Sequence, residues 1–318
     1  MEQLSESQYA YLLLSPALLI LIVIALYPLL RTFTMSLRAD QLTGAARLGA
    51  FVGLQNYVEL FTGGKEALLP APFLPSFASF SAFTGELFTS ALTVTLIFTI
   101  FSVSIETILG FVQAMVLDQD FRGRRWVRVA IIIPWAVPIV IQGMIFYLMF
   151  QPNIGFFVGT ADNPAFLNQI GLVGFTPLAD TRDSLILIII ADVWKTTAFM
   201  ALLILAGMQS IDRSLYDVAK VAGASKWQQF KMITLPLILP TVLVAMLFRT
   251  IGTMRVYGII ETMSSCTTVP SLSCLVVTTF NTPLYATSAT VAFVTAGIIA
   301  VVVSVYIWQF ADAEGGAV

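Results

Sequence analysis

The sequence predicts an all-α integral membrane protein with six transmembrane helices. Of its 318 residues, 58% are hydrophobic and only 11% are charged, whereas about 25% of the residues of a soluble domain are charged. The apolar residues form long continuous runs and do not alternate with polar ones, which disfavours a membrane β-barrel. Backbone polar groups cannot stay unpaired in lipid, so we expect each run to form a helix.

Six runs are long enough and apolar enough to cross a bilayer, which takes about 20 residues. The first run follows an N-terminal stretch without a cation, and no small-residue cleavage pattern closes it. We therefore expect a retained transmembrane helix and not a signal peptide. The predicted spans are 10–31, 88–117, 127–150, 184–208, 235–258 and 286–310.

The distribution of lysine and arginine predicts the orientation. Cations gather between spans two and three and between spans four and five, whereas the segment 259–285 has none. Both termini and the two basic loops are therefore expected in the cytoplasm, and the protein in the cell membrane. The first loop is also cationic, but at about 55 residues it is too long to obey the rule well. Its run LLPAPFLPSFASF is typical of an ordered extracellular cap or of a loose linker.

The residue inventory argues against chemistry within this chain. The absence of histidine removes Ser-His and Cys-His catalysis and every imidazole metal site. No G-x-x-x-x-G-K-[ST] motif occurs, so the chain itself is not expected to cradle ATP phosphates. An intramembrane enzyme is further disfavoured by the lack of a Ser-Lys or paired-carboxylate motif. We expect no catalytic residue, no bound metal and no cofactor in this chain.

One polar segment, YDVAKVAGASKWQQFKMITLPLILP, interrupts the apolar pattern at Tyr216–Pro240. Gly223 is the residue type that ends a helix in a left-handed turn. Ser225 followed by Gln228 has the spacing of a capping box, and Pro236 suits the first turn of the next span. The pattern predicts a helix, a glycine joint and a second helix. Periodicity alone leaves two interpretations, a rigid cytoplasmic knob or an amphipathic linker on the inner leaflet.

The same segment resembles the cytoplasmic coupling motif of ABC-transporter permeases, E-A-A-x-x-D-G-A-x-x-x-x-x-F-x-x-I-x-L-P. In that family the motif docks into a groove of the ATPase subunit. The resemblance therefore implies a coupling helix at 212–233, with ATPase contact through 212–236. This sequence departs from the motif in having Val218 for the first alanine and Ala222 for the aspartate. The implied coupling residues are Asp217, Val218, Ala219, Gly223, Ala224, Phe230, Ile233, Leu235 and Pro236.

The resemblance extends over most of the chain, to carbohydrate-type permeases of the maltose and glycerol-phosphate kind. LLLSPALLILIVIALYPLLRTFTMSLR and VGLQNYVELF are similar to their first span and the segment after it, and MRVYGIIETM is similar to their R-V-F-D-x-I-Y-x-L-T segment. It implies a type I ABC importer permease fold. An N-terminal helix with an extracellular segment would occupy 1–85, a core of five spans 86–311, and a cytoplasmic tail 312–318. SSCTTVPSLSC replaces the family's T-G-G-G-P.

The resemblance implies a permease subunit of an ATP-driven importer that moves a carbohydrate by alternating access. It also implies four kinds of partner: a second homologous permease, two ATPase subunits that bind ATP and Mg, an extracellular solute-binding protein, and the transported sugar. Two alternatives remain open. One is a non-sugar solute such as a polyamine, phosphate or an amino acid. The other is an ion-gradient-driven transporter that uses Glu106, Asp192 and Lys195.

Charged residues inside the predicted spans are a second candidate site. An ionisable group at mid-bilayer costs at least ~2.5–3.5 kcal/mol, so it usually faces a cavity or a partner. Asp192 and Lys195 are three residues apart and could pair on one helical face. They are either a structural pair or, with Trp194 and Arg255, part of a substrate path. A tryptophan beside polar groups would suit a sugar, which has apolar ring faces and hydroxyls.

The two cysteines, Cys266 and Cys274, both lie in the cation-free outer segment. An oxidising exterior would permit a disulfide between them. Two free buried thiols are the alternative, because two cysteines alone carry little information.

Overall fold

The structure is a computed structural model that describes residues 5–42, 47–75 and 88–315. Within these ranges the protein consists mainly of helices, as the sequence predicts. The chain divides into two compact units. One contains residues 1–69 and 276–294, and the other contains residues 70–275 and 295–318. The proline- and aromatic-rich run at 68–80 lies partly outside the described residues, so its interpretation as cap or linker is untested.

The first unit begins with a long apolar helix. α1 (Glu6–Leu21) and α2 (Tyr27–Ser36) are joined by a π-helical turn at Ile22–Leu26. Together they form a candidate membrane span at Ser7–Ser36, in agreement with the predicted span at 10–31. Pro28 has no N–H to donate to the preceding turn, which accounts for irregular bonding at this point.

A hairpin and a short helix follow, and they are tied to the start of the last long helix. Asn56 donates a hydrogen bond of 2.7 Å to the carbonyl of Ser36. The Asp40 carboxylate accepts from the backbone N–H of Thr287, and the buried Lys65 ammonium donates to the Thr287 hydroxyl at 2.9 Å. This part of the first loop is therefore ordered. Its elements are β1 (Arg38–Asp40), β2 (Leu48–Phe51), α3 (Gln55–Thr62) and a 3₁₀ turn (Glu66–Leu68).

The remaining helices form the second unit, except that the last two also enter the first. In chain order they are α4 (Ala91–Asp118), α5 (Arg124–Ala136), α6 (Ile139–Phe150), α7 (Phe166–Gln169), α8 (Thr181–Gln209), α9 (Ser214–Val221), α10 (Lys226–Gln229), α11 (Leu235–Met254), α12 (Gly258–Met263), α13 (Leu272–Asn281) and α14 (Tyr285–Gly315). A 3₁₀ turn at Pro177–Ala179 precedes α8.

The core of the second unit is made by α4, α8 and α11, which pack at very short range. A Cβ placed on Gly110 of α4 would come within 2.7 Å of the Met200 Cβ on α8. A Cβ on Gly207 of α8 would come within 2.9 Å of Thr241 on α11. Both close contacts are therefore possible only because glycine has no side chain. α8 is the most enclosed of the candidate spans, as 61% of its most apolar window is buried.

The third predicted span differs from the prediction of one helix over 127–150. α5 and α6 are separate helices bent by 93°. The break falls at Val137, whose backbone is extended, just before Pro138. A residue before proline avoids the helical region, and proline has no N–H with which to continue the ladder. Counting this bent pair as one span gives up to six candidate spans among the described residues, the predicted number.

The other differences lie around the last two spans. The fifth begins earlier than the predicted 235–258, because α10 runs through a π-helical turn at Phe230–Thr234 into α11 and the whole helix covers Lys226–Met254. The segment 259–285, expected as an outer loop, contains α12 and α13. About half of the residues of α12 and of the segment between these two helices are buried, and Ile259, Ile260, Met263, Cys266 and Val269 belong to the hydrophobic core.

Candidate functional site

The segment 212–236 forms two short helices with a sharp joint between them. The Asp212 carboxylate accepts a hydrogen bond of 2.9 Å from the backbone N–H of Ser214, at the start of α9. That bond lowers the pKa of Asp212. On α9, Lys220 donates to Asp217 at 3.0 Å. Such an exposed i,i+3 pair supports the helix weakly.

The joint has the geometry predicted from Gly223. Gly223 has a φ of +79°, and its N–H donates to the carbonyl of Lys220 at 3.0 Å. The N–H of Ala224 donates to the carbonyl of Ala219 at 2.9 Å. These two bonds form a Schellman motif, which satisfies carbonyls at the end of α9. Apart from the adjacent residues, no heavy atom of the described chain lies within 4 Å of where a Cβ on Gly223 would stand. Glycine therefore serves the backbone angle here and not packing.

The second helix starts with the predicted capping box. The backbone N–H of Gln228 donates to the Ser225 hydroxyl, and the backbone N–H of Ser225 donates at 2.7 Å to the Gln228 side chain. Pro236 lies in the first turn of α11, also as predicted. Its lack of an N–H accounts for the π-helical turn that precedes it. The second helix thus leads into the membrane without a break.

The outer surface of this segment is apolar and exposed. Val221 is 91% exposed, Met232 74%, and Val218 and Trp227 both 69%. None of the nine implied coupling residues is fully buried. Several exposed apolar side chains on one short segment are typical of an interaction surface. Phe230 holds the segment against α4, because its ring meets that of Phe111 edge to face at 5.6 Å.

An ion pair that sequence reasoning missed anchors the same segment to α4. Arg213 donates two hydrogen bonds, of 3.0 and 2.6 Å, to Asp118. The hydrogen bond with Asp118 raises the pKa of Arg213, which stays protonated. The two residues line a cavity of about 350 Å³ with Tyr216, Lys226 and Phe230 among others. No local signal could have found this pair, because 95 residues separate its members.

Three charged side chains meet inside the second unit. Arg249 of α11 donates two hydrogen bonds to Glu106 of α4, at 2.5 and 2.8 Å, and a third to Asp192 of α8 at 2.8 Å. Thr196 donates to Glu106 at 2.7 Å. Two carboxylates thus share one guanidinium. We call Glu106, Asp192 and Arg249 the buried charge cluster.

Asp192 and Lys195, which their spacing allowed to pair, form hydrogen bonds with other partners. Asp192 binds Arg249, whereas the Lys195 ammonium donates to the backbone carbonyl of Val137 at the bend between α5 and α6. That carbonyl lies where the helix is interrupted, so a lysine can take the place of its missing helical donor. The three-residue spacing was compatible with a pair, but it did not reveal these partners on other helices.

The other two residues of the expected substrate path lie apart. Trp194 is 43% exposed and meets the ring of Phe146 edge to face at 5.4 Å. Arg255 is exposed just after the end of α11. In the part of the chain that the structure describes, no hydrogen bond or ion pair joins Arg255 to Asp192, Trp194 or Lys195.

Cys266 and Cys274 are joined by a disulfide, with their Cα atoms 5.3 Å apart. Both are buried, and the backbone N–H of Cys266 donates to the Glu261 carboxylate at 3.2 Å. The bridge ties the segment after α12 to the beginning of α13. Of the two alternatives left open by the sequence, the bonded state is the one present.

An all-α membrane fold with a jointed segment between two spans is an architecture of transport permeases. Residues 106–311 match the family described as binding-protein-dependent transport system inner membrane component. This match covers more than half of the chain, so the protein belongs to that family and is a multi-pass permease component.

Curated relatives agree with the family. The chain is 35% identical over 259 residues to the trehalose/maltose transport system permease protein MalF of Thermococcus litoralis, covering 81% of this chain and 78% of that one. It is 30% identical over 255 residues to the trehalose transport system permease protein SugA of Mycobacterium tuberculosis, covering 80% and 72%.

The fold is shared with a solved transporter. A chain of a bacterial alginate ABC transporter, crystallised with a periplasmic protein that binds an alginate pentasaccharide, superimposes with a TM-score of 0.70. The match covers 94% of this chain and 92% of that one at 20% identity. At that identity the likeness establishes the type I ABC importer permease fold.

Proposed function

We propose that this protein is the permease subunit of an ATP-driven importer that moves a carbohydrate by alternating access. The observation that carries the proposal is the exposed, jointed segment 212–236, which continues directly into α11. Its apolar outer surface suits docking by another protein. The carbohydrate follows from relatives named for trehalose, maltose and lactose transport.

The partners follow from the same proposal. Two ATPase subunits bind ATP and Mg, and one of them docks on Val218, Val221 and Trp227 around the Gly223 joint. A second homologous permease completes the path, and an extracellular solute-binding protein delivers the sugar. Closure of the ATPase pair pulls the docked segments together and opens the path outward. Hydrolysis then resets it.

The proposed orientation places 212–236 and both termini in the cytoplasm. Arg213, Lys220, Lys226 and Lys231 lie within this segment, whereas 259–285 has no cation. Cations favour the cytoplasmic side in short loops. A disulfide between Cys266 and Cys274 suits an oxidising exterior on the opposite side.

For the sugar path, Trp194 and Lys195 are the better supported of the four expected residues. Trp194 exposes an aromatic face that can stack on a sugar ring. Lys195 lies on α8, and its ammonium binds the carbonyl at the break between α5 and α6. Broken helices line substrate sites in several transporter folds. Asp192 supports the path only indirectly, by fixing α8 through its hydrogen bond with Arg249, and Arg255 is an exposed residue just after α11.

An ion-gradient-driven mechanism is less well supported, because each group proposed to carry the ion has a partner. Glu106 and Asp192 bind Arg249, and Lys195 binds a carbonyl. The deciding experiment reconstitutes the complete complex in vesicles and follows labelled trehalose or maltose with the binding protein present. We expect uptake that needs ATP and survives collapse of the ion gradients. Uptake that follows the gradient without ATP would contradict the proposal.

A further inference from the structure

The buried charge cluster joins the three helices of the second unit that are attached to the segment 212–236. Glu106 is on α4, Asp192 on α8 and Arg249 on α11. The segment itself connects α8 to α11, and Arg213 anchors it to α4. All three helices are thus linked at the segment and again at the cluster.

The cluster is enclosed and highly directional. Glu106 is completely buried, and Asp192 is 9% exposed. Arg249 uses its planar guanidinium to hold both oxygens of Glu106 and one oxygen of Asp192 at once. A guanidinium fork accepts this arrangement only in a narrow range of helix positions, because its donors are fixed in one plane. A sliding or rotation of α11 against α4 would break it.

Net stabilisation is a weak explanation for such a cluster. Charges removed from water pay a desolvation penalty that their attraction barely offsets, and apolar replacements are often as stable. The best attested use of buried polar groups is to fix register. Apolar packing and the glycine contacts at Gly110 and Gly207 also hold these helices together, but such contacts specify register less strictly than a fork of directed hydrogen bonds.

A continuous series of contacts connects the segment 212–236 with the cluster. It begins with Arg213 on Asp118 and with the ring contact of Phe230 on Phe111. Gly207 against Thr241 holds α8 to α11, and Gly110 against Met200 holds α4 to α8. One further turn along α4 from Gly110 lies Glu106. The three helices are therefore connected by contacts from the segment 212–236 to the middle of α4, where Glu106 lies.

We propose that Glu106, Asp192 and Arg249 form a register lock that makes α4, α8 and α11 move as one body when the segment 212–236 is displaced. The three are positioning residues, since they act through the helices that they fix. This inference rests on the proposed function. It assigns to the cluster the transmission of ATP-driven movement and leaves sugar recognition to other residues.

The experiment compares variants in the complete complex with its ATPase subunits and binding protein, reconstituted in vesicles. The neutral triple variant Glu106→Gln, Asp192→Asn and Arg249→Met removes every charge together, so no orphan charge remains buried. Arg249→Lys keeps a cation that cannot bridge both carboxylates through a planar fork. Phe248→Leu, at an exposed neighbouring position, is the matched control. The measurements are complex recovered from membranes, ATP hydrolysis, and sugar molecules accumulated per ATP hydrolysed.

We expect the triple variant to assemble and hydrolyse ATP but to accumulate about tenfold less sugar per ATP, within the range of site-to-site coupling energies. Arg249→Lys is expected to fall between it and the wild type. A wild-type ratio in either variant overturns the register lock. Failure of both to assemble also overturns it, since the cluster would then be a folding requirement. If the wild-type complex shows no ATP-driven uptake, the proposed function itself fails.

Discussion

Arg213, just before α9, holds the Asp118 carboxylate at the end of α4 through two parallel hydrogen bonds of 3.0 and 2.6 Å. Asp118 is nearly enclosed, with 8% of its side chain exposed, whereas 58% of the Arg213 side chain is exposed. The pair fixes the base of the segment 212–236 at the end of α4. A push on the segment therefore reaches α4 directly as well as through the connected helices α8 and α11.

Breaking this pair should impair coupling more than stability. Asp118→Asn removes the charge at the enclosed position and leaves only the more exposed Arg213 without a partner, so this variant should assemble normally. Arg213→Met leaves the enclosed carboxylate unpaired and should therefore be the less stable of the two variants. We expect sugar-stimulated ATP hydrolysis to fall about three- to tenfold, since the segment loses its contact with α4. Hydrolysis rates in the reconstituted complex measure this. The exchange Asp118→Arg with Arg213→Asp should recover part of the loss, and full activity of both single variants would contradict the anchoring role.

The segment 212–236 was predictable from the sequence because its signals are local. A left-handed turn at Gly223 and a capping box at Ser225 and Gln228 each depend on residues within one or two helical turns. Asp118 was not recognised as the partner of Arg213, since this contact depends on how α4 packs. The same limit applies to Asp192 and Lys195. Their spacing allowed them to pair, but their hydrogen-bond partners come from α11 and from the bend before Pro138.

The spans could be predicted from apolar runs in the sequence, but the places where a helix bends or breaks could be predicted only in part. Apolarity over 127–150 masked the bend, although Pro138 was a visible signal for it. In the segment 259–285, the absence of cations suggested an outer loop. The residues that form α12 and α13 are apolar enough to be buried, but each of the two runs is too short to predict a span.

Trp194 should affect sugar recognition more than assembly. Its ring is half-exposed and supported edge-on by Phe146. We expect Trp194→Phe to retain uptake and Trp194→Ala to raise the sugar concentration for half-maximal uptake about three- to tenfold, as aromatic contacts contribute about 0.5–1.5 kcal/mol. Uptake measured over a range of sugar concentrations at equal protein level provides the comparison. Unchanged sugar dependence in Trp194→Ala would remove this residue from the path.

The disulfide should stabilise the segment between α12 and α13. Cys266 and Cys274 are eight positions apart and close a short loop. In the chain-entropy model, a loop of this size contributes about 2–3 kcal/mol. We expect the double variant Cys266→Ser with Cys274→Ser to melt at a lower temperature in detergent, while its transmembrane spans still fold. Reduction of the wild type should reproduce the shift, whereas equal melting temperatures would show that the bridge contributes nothing.

Thiol labelling tests the orientation. With both native cysteines bonded, a cysteine introduced at Lys226 or at Thr282, both exposed, is the reactive thiol. We expect Thr282→Cys to react with a membrane-impermeant reagent in intact cells. Lys226→Cys should react only after the membrane is opened. The reverse pattern would place 212–236 outside and remove the basis for ATPase docking.

The most direct test of ATPase coupling through 212–236 is sugar-stimulated ATP hydrolysis by Gly223 variants. Gly223→Val forces a branched side chain into a left-handed conformation that costs roughly 1–2 kcal/mol or more, and so should displace the second helix from the first. Gly223→Asn is the matched control, because asparagine tolerates this conformation. We predict that the valine variant reaches the membrane and assembles its spans but loses sugar stimulation, while the asparagine variant keeps it. A normally assembled valine variant with full sugar-stimulated hydrolysis would contradict the account.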